Sequence, residues 1–353
     1  MAGIDRYLAA ALKENASDLH FLSGDPVRAR IHGNLKTLIE ETLTTDDVRN
    51  CLLEIMDGAT QRAFDARDAA DFAYEIPNVS RFRVNAFRHL NGLGAIFRAI
   101  PSRALTLDDL AMPKIVHDLC RHTQGMILVT GKTGSGKSTT LAAMIDSMNT
   151  RLKGHILTIE DPVEFVHQAK GCLISQREVG VHSESFAAAL HSALREDPDV
   201  ILVGEMRDLE TISIAVTAAE MGILVMGTLH TNGAGQTVDR IVNSFPADKQ
   251  SHIRTMISTS LRGVISQQLL PKKSQPGRVA ALEILINTPA VGNLIRQGKL
   301  DQLETAMQSG GSTGMQTMDN ALMDLVSKGE ISGKDAYLQA NNKAKFERFK
   351  DEA

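Results

Sequence analysis

The stretch "GMILVTGKTGSGKST", residues 125–139, decides the fold that we expect for this chain. The apolar run at its start predicts a buried β-strand. The run from Gly131 to Thr139 has the pattern G-x-x-x-x-G-K-[ST], and the residues after it have the composition of a helix. A strand, a glycine-rich loop and a helix in this order predict a P-loop, in which backbone N–H groups at a helix N-terminus bind the phosphates of a nucleotide.

The residues of this loop have individual expected roles. Lys137 is expected to reach the β- and γ-phosphates, and Ser138 to bind Mg²⁺. The remaining phosphate-binding candidates are Gly131, Thr133, Gly134, Ser135, Gly136 and Thr139. A glycine-rich turn that arose by chance is disfavoured, because the strand, the loop and the helix are all in place. The motif predicts nucleotide binding but does not show how the energy is used.

Outward from the P-loop, predicted strands alternate with predicted helices. The strands are "HILTIED" at 155–161, "DVILVGE" at 199–205 and "ILVMGTLHT" at 223–231. This alternation predicts an α/β fold with a mostly parallel sheet, whose chemistry lies at the carboxyl ends of the strands. From about residue 245 onward we expect several helices, including an amphipathic one at 318–329.

The first hundred residues predict a separate, smaller α+β module. Residues 3–15 predict a helix, and short strand-like segments follow. Residues 80–100 predict two strands joined by a hairpin at the Asn-Gly dipeptide. Prolines at both ends of 101–113 predict a linker. We therefore expect domains at 1–100 and 115–353, joined by a linker at 101–114.

Composition narrows the class of protein. A length of 353 residues favours about two domains. A net charge of −4 and the absence of Trp argue against a nucleic-acid binder. The three cysteines are far apart, which favours free thiols over zinc ligands or disulfides. Neither a signal peptide nor a membrane span is expected, so we predict a soluble, cytoplasmic protein that meets a membrane only through a partner.

Three acids crowd the end of the second predicted strand, in "LTIEDPVEFVH" at 157–167. They are Glu160, Asp161 and Glu164. An isolated acid in a loop is usually just a solvated charge. Three within five residues would repel one another unless a cation is near, so Mg²⁺, held directly or through water, is the favoured interpretation.

The stretch "VILVGEMRD" at 200–208 holds the best candidate for a catalytic base. Glu205 follows the strand after Gly204, where it can orient or deprotonate a water near the γ-phosphate. We interpret Gly204 as a spacer that carries the acid past the metal. Arg207 and Arg195 lie in the same region. An alternative remains open, in which a surface salt-bridge cluster forms among Arg195, Glu196, Arg207 and Asp208.

Two further groups carry candidate residues. His230 ends a predicted sheet strand in "GTLHTNGAGQT" and can hydrogen-bond near the γ-phosphate. Arg81, Arg83 and Arg98 lie on neighbouring predicted strands of the first domain. They form either a solvated sheet face or an anion clamp for ATP held by the second domain, and the sequence leaves both open.

Taken together and in order, these motifs resemble the secretion ATPase superfamily of type II secretion and type IV pili. The segments that carry the resemblance are "GKTGSGKST", "IEDPVE", "LREDPDVILVGEMRD" and "TLHTNGAGQTVDRI". Within this superfamily the chain is most similar to the pilus retraction ATPases, the PilT family. The resemblance extends from "ASDLHF" at 16–21 to "GGSTGMQTMDNAL" at 310–322.

This resemblance implies an N-terminal PAS-like domain followed by a RecA-like ATPase domain with C-terminal helices. It implies a homo-hexamer that hydrolyses ATP with Mg²⁺ at the cytoplasmic face of the inner membrane. Its motion would act on the inner-membrane pilus platform protein and withdraw pilin subunits, which powers twitching motility. It also implies that Glu205 is the catalytic glutamate, that Glu164 is an essential acid and that His230 and some of the three N-terminal arginines serve the nucleotide.

The segment "AVGNLIRQGK", 290–299, departs from the retraction signature AIRNLIREGK at Val291, Gly292 and Gln297. These departures leave open an accessory retraction ATPase of the PilU type, one that works with a paralogous motor. Other classes are less favoured. A P-loop kinase lacks an acceptor site, a nucleic-acid translocase lacks basic and aromatic surfaces, and a protein that only binds ATP is at odds with complete motifs.

Overall fold

The computed structural model describes residues 2–31, 33–77, 79–100 and 104–350. The chain divides into two compact units. The first comprises the N-terminal part of the chain and includes Glu164–Val166. The second comprises Ala104–Val163 and the chain from His167 onward. The short segment Glu164–Val166 therefore lies with the first unit, although the chain on either side of it lies with the second.

In the part of the chain that the structure describes, the first unit has an antiparallel sheet of six strands and three helices. The order of the strands across the sheet is β3-β2-β1-β6-β5-β4. The strands are β1 (Asp18–Leu22), β2 (Pro26–Ile31), β3 (Asn34–Thr42), β4 (Ala69–Ile76), β5 (Ser80–His89) and β6 (Gly92–Ile100). The helices are α1 (Asp5–Lys13), α2 (Thr45–Ile55) and α3 (Gly58–Arg67).

The alternation predicted for β5 is present. Phe82, Val84 and Ala86 are buried in one hydrophobic core with apolar residues of α1 and α2, while Arg81 and Arg83 are half-buried on the opposite face. The predicted hairpin is confirmed, because β5 and β6 pair antiparallel around a two-residue turn. The sequence analysis missed β3, α2 and α3. The capping box of Thr44 at the start of α2 was a signal that could have found that helix.

The second unit is built on a seven-stranded sheet in the order β13-β12-β7-β11-β10-β8-β9. The pairings from β12 to β9 are parallel, and only β13 at one edge is antiparallel to its neighbour. The strands are β7 (Gly125–Thr130), β8 (His155–Glu160), β9 (Leu173–Glu178), β10 (Val200–Val203), β11 (Leu224–Leu229), β12 (Leu261–Pro271) and β13 (Arg278–Ile286). The predicted α/β fold with a mostly parallel sheet is confirmed.

Helices surround this sheet. They are α4 (Lys114–Leu119), α5 (Lys137–Arg151), α6 (Phe186–Ala193), α7 (Leu209–Glu220), α8 (Ala234–Asn243), α9 (Ala247–Ser260), α10 (Pro289–Gln297), α11 (Leu303–Ser309), α12 (Met318–Ser327) and α13 (Gly333–Gln339). Short 3₁₀ segments cover Leu300–Gln302, Gly311–Thr313 and Lys343–Phe349. Strands β7, β10 and β11 are buried at every residue, as expected for the centre of a sheet covered by helices.

The helices expected after residue 245 are present, but two strands in the same region were not predicted from the sequence. Strands β12 and β13 lie within it and extend the sheet beyond β7. Short apolar runs do not distinguish a strand from a buried helix by periodicity alone. Here the open edge of β7 supplies the pairing partner, so the long-range hydrogen bonds decide the conformation.

The cysteines are free, with Cys120 and Cys172 buried and Cys51 half-buried. Within the described ranges, no helix combines the length and the apolar character that crossing a bilayer requires. The first three residues of the predicted linker, 101–103, lie outside the described residues. The domain boundaries at 100 and 115 stay a prediction.

Candidate nucleotide-binding site

Four strands of the second unit bring the candidate residues to one edge of the sheet. Thr130 of β7 pairs in register with Leu229 of β11, and Val203 of β10 pairs with Ile159 of β8. The P-loop leaves the sheet directly after Thr130. His230, Glu205 and Asp161 follow the ends of the other three strands within two residues. The carboxyl edge of the sheet is therefore the candidate site.

The P-loop has a backbone that only glycine adopts easily. Gly131, Gly134 and Gly136 all have positive φ, at 138°, 78° and 89°. A Cβ at Gly131 would lie 2.3 Å from the carbonyl oxygen of Gln267, so the loop packs against β12 there. A Cβ at Gly134 would meet no atom within 4 Å, so this part of the loop is open. The loop is packed on one side and exposed on the other, as a phosphate cradle requires.

Two polar side chains of the loop fit an anionic ligand. The Lys137 ammonium lies over the loop and donates to the carbonyl oxygens of Gly131 and Lys132, at 2.9 and 3.2 Å. The Ser135 hydroxyl is buried, and no hydrogen-bond partner for it is found among the described residues. A buried hydroxyl without a partner is costly, and a phosphate oxygen would satisfy it. The residues present therefore fit a bound nucleotide.

Gln267 on β12 hydrogen-bonds to the P-loop, and this residue was not singled out from the sequence. Its side chain is 2% exposed. Its Nε2 donates to the carbonyl oxygen of Ser135 at 2.7 Å, and its Oε1 accepts from the Thr140 hydroxyl at 2.8 Å. One amide thus ties the loop and the first turn of α5 to the sheet. Three consecutive polar residues between apolar ones in "VISQQLL" were a signal that could have indicated it.

Glu205, Arg207 and His230, which the sequence analysis singled out separately, meet in one cluster. Arg207 contacts both carboxylate oxygens of Glu205 at 2.6 Å, a bidentate pair. His230 Nε2 lies 3.1 Å from Glu205 Oε1. The Glu205 side chain is 18% exposed, whereas that of Arg207 is 69% exposed. The arginine therefore covers a carboxylate that is otherwise largely shielded from solvent.

This environment changes the acidity of Glu205. Burial alone would raise its pKa, but the hydrogen bond from Arg207 and the charge of His230 outweigh burial and lower it. The hydrogen bond to Glu205 and, to a smaller extent, the charge of Asp161 raise the pKa of Arg207. Glu205 is therefore ionised at neutral pH, so it accepts hydrogen bonds.

Gly204 permits a close approach between strands. A Cβ at this position would lie 3.1 Å from the carbonyl oxygen of Ile159 and 3.2 Å from the Cα of Glu160. Its N–H also donates to Ile159 at 2.7 Å, so β8 and β10 stay paired one residue beyond Val203. The structure thus gives the glycine a packing role. Its interpretation as a spacer between metal and water stays a prediction.

Interactions within the second unit hold Glu160 and the chain that follows Asp161. The Thr158 hydroxyl donates to Glu160 Oε1 at 2.7 Å, and Gln176 Nε2 lies 3.3 Å from the same oxygen. Glu178 of β9 is buried and accepts from the backbone N–H of Val163 at 3.1 Å. The sequence analysis missed Glu178. This carboxylate fixes the course of the chain after Asp161.

The donor set suits a hard cation. Ser138 lies in the first turn of α5, half-buried, and the half-buried Glu160 and the exposed Asp161 lie at the end of β8. Hydroxyl, carboxylate and water oxygens are the ligands that Mg²⁺ prefers. The described residues contain no ready-made cluster of three acidic, His or Cys ligands.

The alternative of a salt-bridge cluster among Arg195, Glu196, Arg207 and Asp208 is wrong. Arg207 pairs with Glu205, and Glu196 pairs with Arg177 at 2.7 Å. The Asp208 side chain instead caps α7 by accepting from Thr211. Arg195 contacts Nδ1 of His191 at 3.4 Å on α6. The four residues have separate partners, and the structure does not bring Arg195 into the Glu205 cluster.

The three N-terminal arginines share one face of the first unit's sheet. Arg83 pairs in register with Arg98, and Arg98 pairs in register with Asp18 of β1. The Arg98 Nε donates to Asp18 Oδ1 at 2.8 Å. The Arg98 side chain is 68% exposed, while that of Asp18 is only 8% exposed. Arg98 thus neutralises a buried acid, and Arg83 beside it faces a second cation.

The loop after His230 is tied to the P-loop strand. The Thr237 hydroxyl of α8 lies 2.8 Å from that of Thr231, donates to Gly233 at 2.7 Å and reaches Thr130 at 3.5 Å. Glu283 of β13 accepts from the first N–H of α8. Neither Thr237 nor Glu283 was singled out from the sequence. An acid inside the apolar run "AALEILI" was the available signal for Glu283.

Comparisons with known proteins identify the family of this chain. A family model described as "Type II/IV secretion system protein" matches residues 2–335. The type IV pilus retraction ATPase PilT of Pseudomonas aeruginosa is 51% identical over 94% of this chain and 96% of its own. The type IV pilus ATPase PilU of the same organism is 38% identical over 96% of this chain and 88% of its own. A crystal structure of the pilus retraction motor PilT with bound ADP superposes with a TM-score of 0.91, at 42% identity and 99% coverage of both chains.

Proposed function

The chain belongs to the type II/IV secretion system protein family and, within it, to the PilT-type pilus retraction ATPases; from this premise we propose that it is an ATP-hydrolysing motor that powers type IV pilus retraction. The observation that carries the proposal is the cluster of Glu205, Arg207 and His230 on the sheet edge from which the P-loop leaves. Such a cluster suits water attack on a γ-phosphate, whereas a protein that only binds ATP has no use for it.

In this proposal the P-loop holds the phosphates of ATP. Backbone N–H groups of Gly134 to Thr139 and the N-terminus of α5 face the anion, and Lys137 supplies the positive charge. Ser135 donates its otherwise unsatisfied hydroxyl. Gln267 keeps the loop in this shape before the ligand arrives, which lowers the entropy lost on binding.

Ser138, Glu160 and Asp161 would hold Mg²⁺, the acids directly or through water. The ion would neutralise charge on the β- and γ-phosphates. Glu205 orients the attacking water by accepting a hydrogen bond from it. Its lowered pKa favours this orienting role over storing a proton. His230 and Arg207 fix the carboxylate, and either can turn toward the γ-phosphate.

The remaining candidates are proposed on the family pattern. Glu164 acts as a further acid of the site, and Arg195 and Arg207 stabilise phosphate charge. Arg81, Arg83 and Arg98 clamp the nucleotide from the N-terminal domain. We propose a homo-hexamer docked on the platform protein at the cytoplasmic face of the inner membrane, with a paralogous retraction ATPase as a further partner. The proposal includes neither nucleic-acid binding nor membrane insertion.

Phosphate release by the purified protein tests the chemistry. Glu205→Gln should lower the rate of hydrolysis by at least about 100-fold while ATP binding is retained, because the amide cannot accept and hold the water as a carboxylate does. Glu196→Gln is the matched control, since Glu196 is similarly shielded but pairs with Arg177. Equal rates for wild type and Glu205→Gln would contradict the assigned role of Glu205.

The accessory role remains the second candidate. It is favoured by Gly292 in α10, where the retraction signature has arginine. A Cβ at Gly292 would lie 3.0 Å from the carbonyl oxygen of Ser258, so α10 packs on α9 more closely than a larger residue permits. Deletion of the gene should give excess surface pili and no twitching for a principal motor. Retained twitching on soft surfaces with loss only under load would indicate the accessory role.

A further inference from the structure

Glu283 is a buried acid to which the mechanism above assigns no role. It lies on β13 and is 5% exposed. Its charged neighbours are Glu304 and Asp319, both acidic, and no salt bridge is found for it among the described residues. Burial first, and then these two acids, raise its pKa, while hydrogen bonds from two backbone N–H groups oppose the rise. An acid that is buried beside other acids contributes through its hydrogen bonds rather than through charge pairing.

Those contacts join two helices that are distant in the sequence. Glu283 Oε1 accepts from the N–H of Ala234, the first residue of α8, at 2.8 Å. Glu283 Oε2 accepts from the N–H of Met318, the first residue of α12, at 3.3 Å. A single carboxylate thus meets the positive ends of two helix dipoles.

Helix α8 depends on this contact. Its N-cap is Gly233, which has no side chain to satisfy the first N–H groups. A Cβ at Gly233 would lie 3.3 Å from Glu283 Oε1, so the carboxylate packs directly over the cap. Gly233 ends the short loop that begins at His230, whose ring touches Glu205. The position of Glu283 therefore bears on the position of His230.

Helix α12 carries the contact into the C-terminal helices. Asp319, the second residue of α12, accepts from the backbone N–H groups of Asn341 and Asn342, at 2.8 and 3.0 Å. The segment before α12 is also bonded to β13, since Ile284 and Gln316 exchange both backbone hydrogen bonds. A shift of α12 thus moves Glu283, and a shift of Glu283 moves the start of α8.

We propose that Glu283 is a positioning residue that couples the His230 loop to helix α12, and hence the state of the nucleotide site to the C-terminal helices. The proposal rests on the proposed function, because a motor must convert a change at its nucleotide site into movement of another part of the molecule. It needs only nucleotide binding for its test. The coupling is reciprocal, so displacement of α12 must alter turnover as well.

Glu283→Gln tests this with little change in shape. The amide has one acceptor oxygen and one donor group, so it can satisfy only one of the two helix N-termini. We expect kcat for ATP to fall about tenfold with KM changed less than about twofold, because a lost hydrogen bond to a charged acceptor shifts an equilibrium by roughly this factor. Hydrogen–deuterium exchange with and without ADP supplies the second readout. In the wild type, ADP should slow exchange at Met318–Asn320, and in Glu283→Gln this response should be lost.

Thr317→Val is the control for local damage to α12. Thr317 caps α12 by accepting from Asn320, and no contact between Thr317 and α8 is found among the described residues, so its loss should raise exchange at 318–320 in both states while the ADP response and kcat persist. If Glu283→Gln does not fold, Glu283→Asp carries the same test, since its shorter side chain cannot span both helices. Wild-type kcat together with an intact ADP response in a folded variant would overturn the proposal. If the wild type proves unable to hydrolyse ATP, the motor function fails, and the exchange measurement still decides the coupling.

Discussion

At the scale of single residues, the surroundings of Glu205 decide what it can do. For a glutamate at the end of a sheet strand, the sequence predicts a catalytic base or a metal ligand. The bidentate contact with Arg207 lowers its pKa and keeps it ionised. By linkage, the folded state gains stability from this ion pair above the ordinary carboxyl pKa. That stability is lost as the pH falls through the lowered pKa of the folded protein.

Arg207→Gln should shift the acid limb of the pH–rate profile to higher pH. Without the arginine, the charge of His230 opposes the effect of burial less completely, so the pKa of Glu205 rises. Activity should therefore be lost at a mildly acidic pH where the wild type still turns over. The measurement is kcat/KM from about pH 4, near the ordinary glutamate pKa, up to about pH 8. Arg121→Gln, whose side chain is equally exposed, is the control, and the same acid limb in Arg207→Gln and wild type would count against the ion pair.

At the scale of elements, β12 contributes more than the edge of a sheet. Its buried Gln267 holds the P-loop and the first turn of α5 by two hydrogen bonds. Its partner strand β13 presents Glu283 to α8 and α12. The β12–β13 pair thus contacts the phosphate loop, the loop after His230 and the C-terminal helices at once.

Gln267→Met should weaken ATP binding and lower the free energy of unfolding by about 2 kcal/mol. The thioether keeps the volume but leaves the Thr140 hydroxyl and the Ser135 carbonyl buried without partners. ATP titration and chemical denaturation measure the two effects. Gln268→Met is the matched control on the same strand, because no partner for Gln268 Oε1 is found among the described residues. Similar losses of ATP binding and stability in both variants would show that the two hydrogen bonds of Gln267 have no specific role.

At the scale of the whole molecule, the arginines of the first unit bear on the proposed homo-hexamer. Arg98 is engaged with Asp18, and removing it leaves a shielded carboxylate without its cation. We expect Arg98→Gln to destabilise the first unit by about 1 kcal/mol, since Arg98 itself is largely exposed. Arg83 pairs in register with Arg98, and no salt bridge of Arg83 is found among the described residues, which makes it the better candidate for a clamp on ATP.

If Arg83 acts on the nucleotide of a neighbouring subunit, two inactive variants should complement each other. Arg83→Gln and Glu205→Gln are each expected to be inactive alone. In randomly mixed rings about a quarter of the interfaces would combine an intact Glu205 with an intact Arg83, so about a quarter of wild-type hydrolysis should return. Mixed rings that stay inactive, with sizes equal to the wild type by sedimentation, would exclude action between subunits.

The sequence by itself determined the parallel α/β core, the P-loop and the positions of Glu205 and His230 just after two sheet strands. These features rest on short-range patterns, because a strand, a glycine-rich loop and a helix lie consecutively and parallel strands end on one edge. Only the tertiary structure decided the strands β12 and β13, the separate partners of Arg195 and Arg207, and the roles of Gln267 and Glu283. Each of these depends on hydrogen bonds between residues far apart in the chain, such as Glu283 with Ala234 and Gln267 with Ser135. Local periodicity carries no information about such partners, since a buried polar side chain is placed by the groups it satisfies.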